Sequence, residues 1–466
     1  MVLKDLVGEA SPINHFSIPA MRKNDKKLIV EHTSKNVTLL TIKKIIFLIM
    51  KQKYRIKDIE TIKASITDFK TKDGVLSFDD QLSILTHIGQ SQKSALKIPY
   101  NSIAQKILKS WNSALDKNSN KNTVRESSQT YFFPELFEPV FKAKADATFT
   151  FIDLFAGIGG FRLAMQSCGG RCVFSSEWDE NAKKTYLNNF GEYPFGDITL
   201  ESTKKCIPDG FDVLCGGFPC QAFSIAGYRR GFEDTRGTLF FDVAEIIRRK
   251  RPKAVYLENV KNLYTHDNGK TFEVIKNTLE GLGYVVYHKV MNAMEYANVP
   301  QNRERIFIVC FDPKQVPNHA NFKFPAPVKL TKTIHDCIKD DENSKELFYS
   351  DKMGHFKDLQ DGITSMDSIY QWRRQYVREN KSHVCPTLTA NMGTGGHNVP
   401  LILTDNGIRK LSPKECINFQ GYPAKYEFPE TISNAAKYKQ AGNSVVVPLI
   451  KRVSEQIIAV ISKKEL

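Results

Sequence analysis

Short apolar runs alternate with stretches of helical spacing between residues 148 and 311. The runs are rich in β-branched and aromatic residues, and they predict strands at 148–155, 172–176, 211–215, 254–257, 284–290 and 305–311. Strands that alternate with helices favour an α/β fold with a doubly wound, mainly parallel sheet. In such a sheet, ligands bind at the loops that follow the carboxyl ends of the strands.

The segment before this region has a different pattern. Residues 1–146 are rich in Lys and Asn and carry apolar residues at helical spacing at 39–59 and 103–115. We therefore predict a mostly helical N-terminal extension. A polar linker at 116–130 follows, and then an aromatic segment at 131–141 that we expect to pack against the α/β region.

After residue 313 the alternation fades, and residues 325–405 predict a small irregular lobe. The chain ends in a predicted amphipathic helix, whose apolar positions are Val446, Leu449, Ile450, Val453 and Ile457. The resulting regions are the extension (1–146), the α/β region (147–324), the small lobe (325–433) and a C-terminal helix that returns to the α/β region (434–466).

Length and composition limit the class of protein. At 466 residues the chain exceeds one ordinary core, so we expect two or three domains. No apolar run reaches the roughly 18 residues that cross a bilayer, and the N-terminus lacks the pattern of a secretory signal, so we expect a cytoplasmic protein. The nine cysteines lack the paired spacing of zinc sites, which argues against a disulfide framework and a structural metal.

The chain is strongly basic, with a net charge of +15 at pH 7. This excess favours a polyanionic partner such as nucleic acid. The charge is uneven, because residues 1–146 hold 24 lysines and arginines against 15 aspartates and glutamates. The extension therefore carries more than half of the net charge.

A glycine-rich turn, FAGIGG, joins the first predicted strand to a helix. Gly157, Gly159 and Gly160 let the backbone approach a ligand closely, and the N-terminus of the helix favours negative charge. Glu177, at the end of the second strand, is placed to bind ribose hydroxyls. Asp197, in GDI at 196–198, lies at the tip of a further short strand between the second and third predicted strands, where it can accept a hydrogen bond from an adenine amino group. Together these residues predict an adenosine-containing ligand, without distinguishing NAD from S-adenosylmethionine.

A cysteine follows a proline in CGGFPCQAFS, directly after the strand predicted at 211–215. This residue, Cys220, lies in a tight turn at the carboxyl end of a strand, where it is poorly placed for packing and well placed for attack. Cysteine suits a transient covalent bond, because its thiolate is strongly nucleophilic and also leaves readily. Most cysteines are inert core residues, but the glycines and the proline around this one favour a nucleophile.

Other polar residues are predicted at the same edge of the sheet. Glu258 ends the next strand, where it can reach a bound ring, and Arg303 and Arg305 in QNRER precede the last strand. For the arginines, a charged strand entry is the alternative interpretation. Asn443 and Ser444, in QAGNSVVVP, are predicted to open the C-terminal helix, and a simple N-cap at Ser444 is the alternative there.

These segments, in this order, resemble the cytosine-C5 DNA methyltransferase family, in its prokaryotic restriction–modification form. The resemblance covers residues 148–311 and 405–461. Its blocks are FAGIGG (155–160), GGFPCQAFS (216–224), ENV (258–260), QNRER (301–305), RKLSPKECINFQGYP (409–423) and AGNSVVVP (441–448). Tyr422 stands where a phenylalanine is common, and the extension has no counterpart in the minimal family.

The resemblance implies a class I S-adenosylmethionine-dependent methyltransferase that rotates the target cytosine out of the duplex. Cys220 would add to carbon 6 of the ring, and Glu258 would contact nitrogen 3 and the amino group. Arg303 and Arg305 would orient the base and its phosphate. Carbon 5 would then take the methyl group and lose its proton as Cys220 leaves. The residues implied in S-adenosylmethionine binding are Phe155, Ala156, Gly157, Gly159, Gly160, Glu177, Trp178, Asp197, Ile198, Pro219, Asn443 and Ser444.

The resemblance also implies double-stranded DNA as the substrate, no metal, and action as a monomer beside a partner restriction endonuclease. Residues 325–433 would form the target-recognition domain, and residues 225–237 a loop that closes over DNA. The residues implied in DNA binding are Ser224, Arg229, Arg230, Thr387 and Leu388.

Alternatives remain open for the substrate and for the extension. A nicotinamide oxidoreductase shares the glycine turn and the ribose acid, but it does not need Cys220 or Glu258. An RNA cytosine methyltransferase would use the same chemistry, although the basic extension and the separate lobe favour DNA. The extension forms either a DNA-binding module, such as a helix-turn-helix, or a structural cap or dimer contact.

Overall fold

The computed structural model describes residues 63–64, 66–71, 74–91, 96–118, 139–219, 239–339, 344–373, 375–394 and 398–462. All of them belong to one compact unit, Arg55–Leu466. The helix predicted at 39–59 and the loop predicted at 225–237 lie outside these residues. Within them, no helix is both long and apolar enough to cross a membrane.

The described part of the N-terminal extension is a β-hairpin followed by two helices. The elements are β1 (Phe69–Thr71), β2 (Gly74–Leu76), α1 (Phe78–Ser91) and α2 (Asn101–Asn118). In the contact between the helices, the Trp111 ring stacks on Phe78 with 5.2 Å between centroids. Helix α2 contains the helix predicted at 103–115. The sequence pattern does not predict α1, because four polar residues lie on its buried face: Gln81, Ser83, Thr86 and His87.

The central sheet has six strands, which are β3 (Phe149–Leu154), β4 (Gly170–Ser176), β5 (Val213–Gly216), β6 (Ala254–Val260), β7 (Val285–Asn292) and β8 (Glu304–Phe311). Their order across the sheet is β4-β3-β5-β6-β8-β7. Neighbours among β3 to β6 are parallel, and β8 runs antiparallel to β6 and β7. The predicted mainly parallel sheet is confirmed. Because β8 is reversed, its first residues lie at the carboxyl end of β6, which sets Arg305 opposite Val260.

Helices connect these strands. They are α3 (Gly160–Ser167), α4 (Glu180–Phe190), α5 (Glu201–Lys205), α6 (Leu239–Lys250), α7 (Asn262–Thr265), α8 (Lys270–Gly281) and α9 (Ala293–Tyr296). The main hydrophobic core joins α3 to one face of the sheet, through residues such as Phe151, Phe161 and Tyr256. The aromatic segment predicted at 131–141 is described only from residue 139, and its Phe141 ring contacts Phe190 and Tyr426.

The smaller lobe contains α10 (Phe356–Gly362) and the strands β9 (Tyr370–Trp372), β10 (Val377–Glu379), β11 (Leu401–Thr404) and β12 (Gly407–Lys410). The strands form an antiparallel sheet in the order β10-β9-β11-β12. The lobe is therefore more regular than predicted. Strands of three or four residues are too short for a period-two pattern to stand out in the sequence. Its own core consists of Leu359, Ile363, Tyr370, Trp372, Leu401 and Ile408.

Three helices complete the chain: α11 (Pro413–Asn418), α12 (Asn434–Asn443) and α13 (Val447–Ile461). The prediction that Asn443 and Ser444 open the last helix is wrong. Asn443 ends α12 and Ser444 is its C-cap, whereas α13 starts at Val447 with a proline in its first turn. A proline suits that position because the first N–H groups of a helix have no partner within the helix.

Candidate active site

The glycine turn after β3 has a strained, compact backbone. Phe155, Gly157 and Gly159 have positive φ angles of 52°, 53° and 80°. A Cβ at Gly159 would lie 2.2 Å from the Phe190 ring, so only glycine fits there. Ala156 N donates to Ser176 O at 2.9 Å, which ties the turn to the end of β4. The turn leads directly into α3, so unpaired N–H groups at the N-terminus of that helix lie beside it.

The Glu177 carboxylate joins this turn to the end of β4. Its Oε2 accepts from Gly157 N at 2.7 Å, and its Oε1 accepts from Trp178 N and Asp179 N at 2.9 Å each. Burial raises the pKa of Glu177, while these backbone N–H groups act in the opposite direction. Next to it, the Trp178 side chain is 78% exposed, which leaves a flat apolar surface beside the turn.

Asp197 and Ile198 lie along the outer edge of β4. Phe195 pairs with that edge: its N donates to Ser175 O at 2.9 Å, and its O accepts from Glu177 N at 2.8 Å. Asp197 is half-buried and accepts from Thr199 N, whereas Ile198 is buried. The structure therefore brings the adenine-side and ribose-side candidates to one place.

Cys220 lies outside the described residues, as do Ser224, Arg229 and Arg230. The chain is described up to Pro219, which is exposed. The segment after β5 is held against the end of β6, because Asn259 Nδ2 donates to Phe218 O at 2.8 Å. A Cβ at Gly217 would lie 3.6 Å from Glu258 Oε2. The path to Cys220 therefore starts beside the Glu258 carboxyl group.

Glu258 is 8% exposed and forms an ion pair with Arg305, whose Nε lies 3.1 Å from Oε1. Burial raises the pKa of Glu258 above its usual 4.5, although Arg305 and then Arg303 act in the opposite direction. A carboxyl group with a raised pKa can hold a proton and donate it to a ring nitrogen.

Arg303 differs from Arg305 in its partners. It is 2% exposed, and its guanidinium donates to Leu388 O at 2.7 Å, Ser444 O at 2.6 Å and Gly442 O at 3.2 Å. Its Nε is buried without a hydrogen-bond partner among the described residues. Burial lowers the pKa of Arg303 to about 9. Arg303 therefore joins two backbone segments, at Leu388 and at 442–444, and has no surface for a phosphate, whereas Arg305 contacts the Glu258 carboxylate.

Thr387 and Leu388 lie next to the QNRER block. Thr387 is exposed, and its hydroxyl donates to Asn302 O at 2.6 Å. Leu388 is 1% exposed and its N–H donates to Gln301 Oε1, so the suggestion that Leu388 contacts DNA needs correction. Its side chain packs in the main core instead. The Thr387–Leu388 sequence does not predict that Leu388 is buried, because the residues that cover its side chain come from distant parts of the chain.

Asn443 and Ser444 lie at the end of α12. Asn443 is exposed, while Ser444 is buried and its Oγ lies 2.5 Å from the Tyr422 hydroxyl. The tyrosine at this position therefore makes a bond that a phenylalanine cannot. A Cβ at Gly160 would lie 2.7 Å from the same hydroxyl, so this contact also borders the glycine turn.

Two further residues of the site, Asn259 and Gln301, were not singled out from the sequence. Asn259 holds the segment before Cys220, and the buried Gln301 donates to Phe419 O at 2.6 Å. Their place in the ENV and QNRER blocks is the signal that identifies them. Across the described ranges, no group of three histidine, cysteine, aspartate or glutamate residues is arranged to hold a metal ion.

Comparison with known proteins gives consistent matches. A model of the C-5 cytosine-specific DNA methylase family matches residues 149–459. The Type II methyltransferase M.Bsp6I of Bacillus sp. (strain RFL6) is 52% identical over 65% of this chain and 96% of that protein. The Type II methyltransferase M.HpaII of Haemophilus parainfluenzae is 45% identical over 72% and 96%. The structure of the Entamoeba histolytica methyltransferase EhMeth aligns with a TM-score of 0.51 and 15% identity, over 68% of this chain and 99% of that one, which shows a shared fold.

Proposed function

Because the chain belongs to the C-5 cytosine-specific DNA methylase family and is a DNA cytosine-5-methyltransferase, we propose that it takes the methyl group from S-adenosylmethionine and uses Cys220 as a covalent nucleophile. The observation that carries the proposal is the Glu258–Arg305 pair, which lies beside the segment that leads to Cys220. In this fold class, active sites lie at the carboxyl edge of the sheet, and this ionisable pair lies at that edge.

The glycine turn and its neighbours fit S-adenosylmethionine. The Glu177 carboxylate offers acceptors beyond its three backbone partners, and these suit ribose hydroxyls. The exposed Trp178 indole can cover an adenine ring, and Asp197 lies on the same side. When bound, S-adenosylmethionine supplies an electrophilic methyl group on a positively charged sulfur. Pro219, Asn443 and Ser444 are further candidates for contacts with it; the Ser444 side chain is buried and its hydroxyl is bonded to Tyr422.

Cys220 starts the reaction on a cytosine rotated out of the duplex. Its thiolate forms a bond to carbon 6, and Glu258 donates a proton to nitrogen 3. This addition displaces the π electrons of the bond between carbons 5 and 6 and makes carbon 5 electron-rich. Carbon 5 then takes the methyl group of bound S-adenosylmethionine, with the electrons of the broken sulfur–methyl bond staying on sulfur. Water then takes the proton from carbon 5, the double bond between carbons 5 and 6 re-forms, Cys220 leaves as a thiolate, and the proton on nitrogen 3 returns to Glu258.

Arg305 and Arg303 have different parts in this scheme. The Arg305 guanidinium holds the Glu258 carboxyl in place at 3.1 Å and favours charge on it as the proton leaves. Arg303 acts on the site indirectly, because it fixes the backbone of Leu388, Gly442 and Ser444 around the pocket.

DNA recognition is assigned to the smaller lobe and to the segment after Cys220. Ser224, Arg229 and Arg230 would contact the backbone near the flipped base, and Thr387 faces solvent at the junction of the lobe. The relatives M.Bsp6I and M.HpaII are Type II methyltransferases. We therefore place the protein in a restriction–modification system, where methylation protects host DNA from a cognate endonuclease.

The test is expression in a host that lacks 5-methylcytosine, followed by bisulfite sequencing of host DNA. The wild type should protect cytosines within one short motif, and Cys220→Ala should abolish this protection. Cys206→Ala serves as the matched control, since Cys206 is a half-buried thiol on α5's C-terminal side. Complete conversion with soluble wild-type protein would refute DNA methylation, and the same assay on total RNA would then test the RNA alternative. Protection that persists in Cys220→Ala would refute the assigned nucleophile.

A further inference from the structure

Helix α1 of the N-terminal extension packs against the open edge of the central sheet. Its Ser83 hydroxyl donates to Pro194 O at 2.9 Å, and its Thr86 hydroxyl accepts from Tyr193 N at 3.0 Å. Both side chains are buried. The family model begins at residue 149, so this contact joins an element outside the shared fold to an element within it.

His87, on the same face of α1, completes the hydrogen bonding of β4. β4 is the edge strand of the sheet, and Phe195 pairs with Ser175 O but leaves the Ser175 N–H without a strand partner among the described residues. Ser175 N donates to His87 Nε2 at 3.2 Å, and His87 Nδ1 lies 2.8 Å from Ser83 O. Because a backbone N–H can only donate, Nε2 is the acceptor and Nδ1 carries the proton. The ring is fully buried, and burial lowers the pKa of His87, which agrees with a neutral ring.

The same contact extends to the helix that follows the glycine turn. The Ser175 hydroxyl donates to Glu192 Oε1 at 3.0 Å, and Arg162 of α3 donates to the same oxygen at 2.7 Å. This oxygen also lies 3.2 Å from His87 Nε2. Arg162 and Glu192 are both buried, so the cluster has fixed geometry with little access to water. Helix α1 is therefore connected to β4 and to α3.

Phe195 links this cluster to the residues that are proposed to bind the cofactor. Its ring lies 4.6 Å from the His87 ring and stacks on Phe174 at 5.0 Å. Its backbone pairs with Ser175 O on one side and with Glu177 N on the other. A shift of His87 would thus be transmitted to Glu177 and to the segment that continues to Asp197.

We propose that His87 is a positioning residue for the cofactor site, through which the N-terminal extension sets the affinity for S-adenosylmethionine. The inference rests on the proposed function, in which Glu177 and Asp197 hold the adenosine part of that molecule. His87 is fully buried, so we assign it no direct contact with the cofactor or with DNA. It acts by fixing Ser175 and Phe195, which in turn fix the two carboxylates.

The test uses the full chain and S-adenosylhomocysteine, whose binding is measured by titration calorimetry. His87→Leu leaves the buried Ser175 N–H without an acceptor, and we expect binding roughly tenfold weaker. His87→Gln places an amide oxygen near the position of Nε2, and we expect it to restore affinity to within about twofold of the wild type. In methylation assays, His87→Leu should raise KM for S-adenosylmethionine while kcat and the Kd for DNA stay unchanged.

Trp111→Phe is the matched control for a loss of stability in the extension. It removes the hydrogen bond from Trp111 Nε1 to Gln81 Oε1, at 2.8 Å within the extension, and keeps a ring against Phe78. It should lower the melting temperature without weakening S-adenosylhomocysteine binding. Should His87→Leu fail to fold, Thr86→Val tests the same interface, since it deprives Tyr193 N of its acceptor and should weaken binding by about threefold.

The outcomes separate this inference from the proposed function. Wild-type protein that binds no S-adenosylhomocysteine would refute the proposed cofactor and, with it, the inference. Wild-type binding that is unchanged in His87→Leu would refute the inference alone. Equal weakening in Trp111→Phe and His87→Leu would also refute it, because a general loss of stability would then explain both.

Discussion

Gly442 marks a very close contact between α12 and the chain that enters from the smaller lobe. A Cβ at this position would lie 2.1 Å from the carbonyl carbon of Thr389, 2.2 Å from its oxygen and 2.5 Å from Ala390 N. All three are backbone atoms, which cannot rotate away as the end of a side chain can. We therefore expect Gly442→Ala to lower the free energy of unfolding.

The size of the loss follows from these distances. Carbon atoms in contact are normally about 3.5–4.0 Å apart, so the two segments would have to separate by more than roughly 1 Å. That separation would also lengthen the Arg303 hydrogen bonds to Leu388 O and Gly442 O, which are 2.7 and 3.2 Å long. Overpacking costs about 1–3 kcal/mol, and a lost buried hydrogen bond adds about 1 kcal/mol. The sum is a loss of roughly 2–4 kcal/mol.

Urea denaturation of the full chain, followed by tryptophan fluorescence, measures this loss. Gly281→Ala is the matched control, because Gly281 ends α8 and a Cβ there meets no atom within 4 Å. Alanine should leave stability unchanged there or raise it by up to about 1 kcal/mol, since it favours helix over glycine. If Gly442→Ala and Gly281→Ala are equally stable, the argument from close contact is refuted.

Two predictions concern the carboxylates of the site. Because the pKa of Glu258 is raised above its usual 4.5 by burial, its favourable contribution to folding is complete below that value and is lost as the pH rises through the raised pKa. Glu258→Gln cannot ionise, so its unfolding free energy should vary less with pH above pH 4.5 than that of the wild type, and an equally strong pH dependence in the two proteins would contradict this. Glu177→Gln keeps the shape but loses the charge that binds Gly157 N, and S-adenosylhomocysteine binding in calorimetry should weaken by about tenfold or more. Binding unchanged in this variant would exclude Glu177 from the cofactor site.

The inner strands β3, β5, β6 and β8 were predictable because they are mostly apolar runs buried along most of their length, whereas the edge strand β7 is half-buried. Strand β8, predicted at 305–311, is observed at Glu304–Phe311, and β3, predicted at 148–155, at Phe149–Leu154. Burial on both faces requires apolar residues at every position, and this signal is local in the sequence. The prediction for Ser444 was wrong because a second helix ends at Asn443 and the last helix begins only at Val447, so Ser444 lies in the short connection between them.

The family, most of the sheet and the residue types of the site follow from the amino-acid sequence, because a glycine turn and short blocks at strand ends are local patterns. Which arginine reaches Glu258 depends on packing instead. The carbonyl partners of Arg303 lie 85, 139 and 141 residues away in the chain, and no pattern within QNRER specifies them. The same holds for His87, whose partner Ser175 is 88 residues away. Such contacts form only when segments that are far apart in the sequence pack against each other, so no local sequence pattern specifies them.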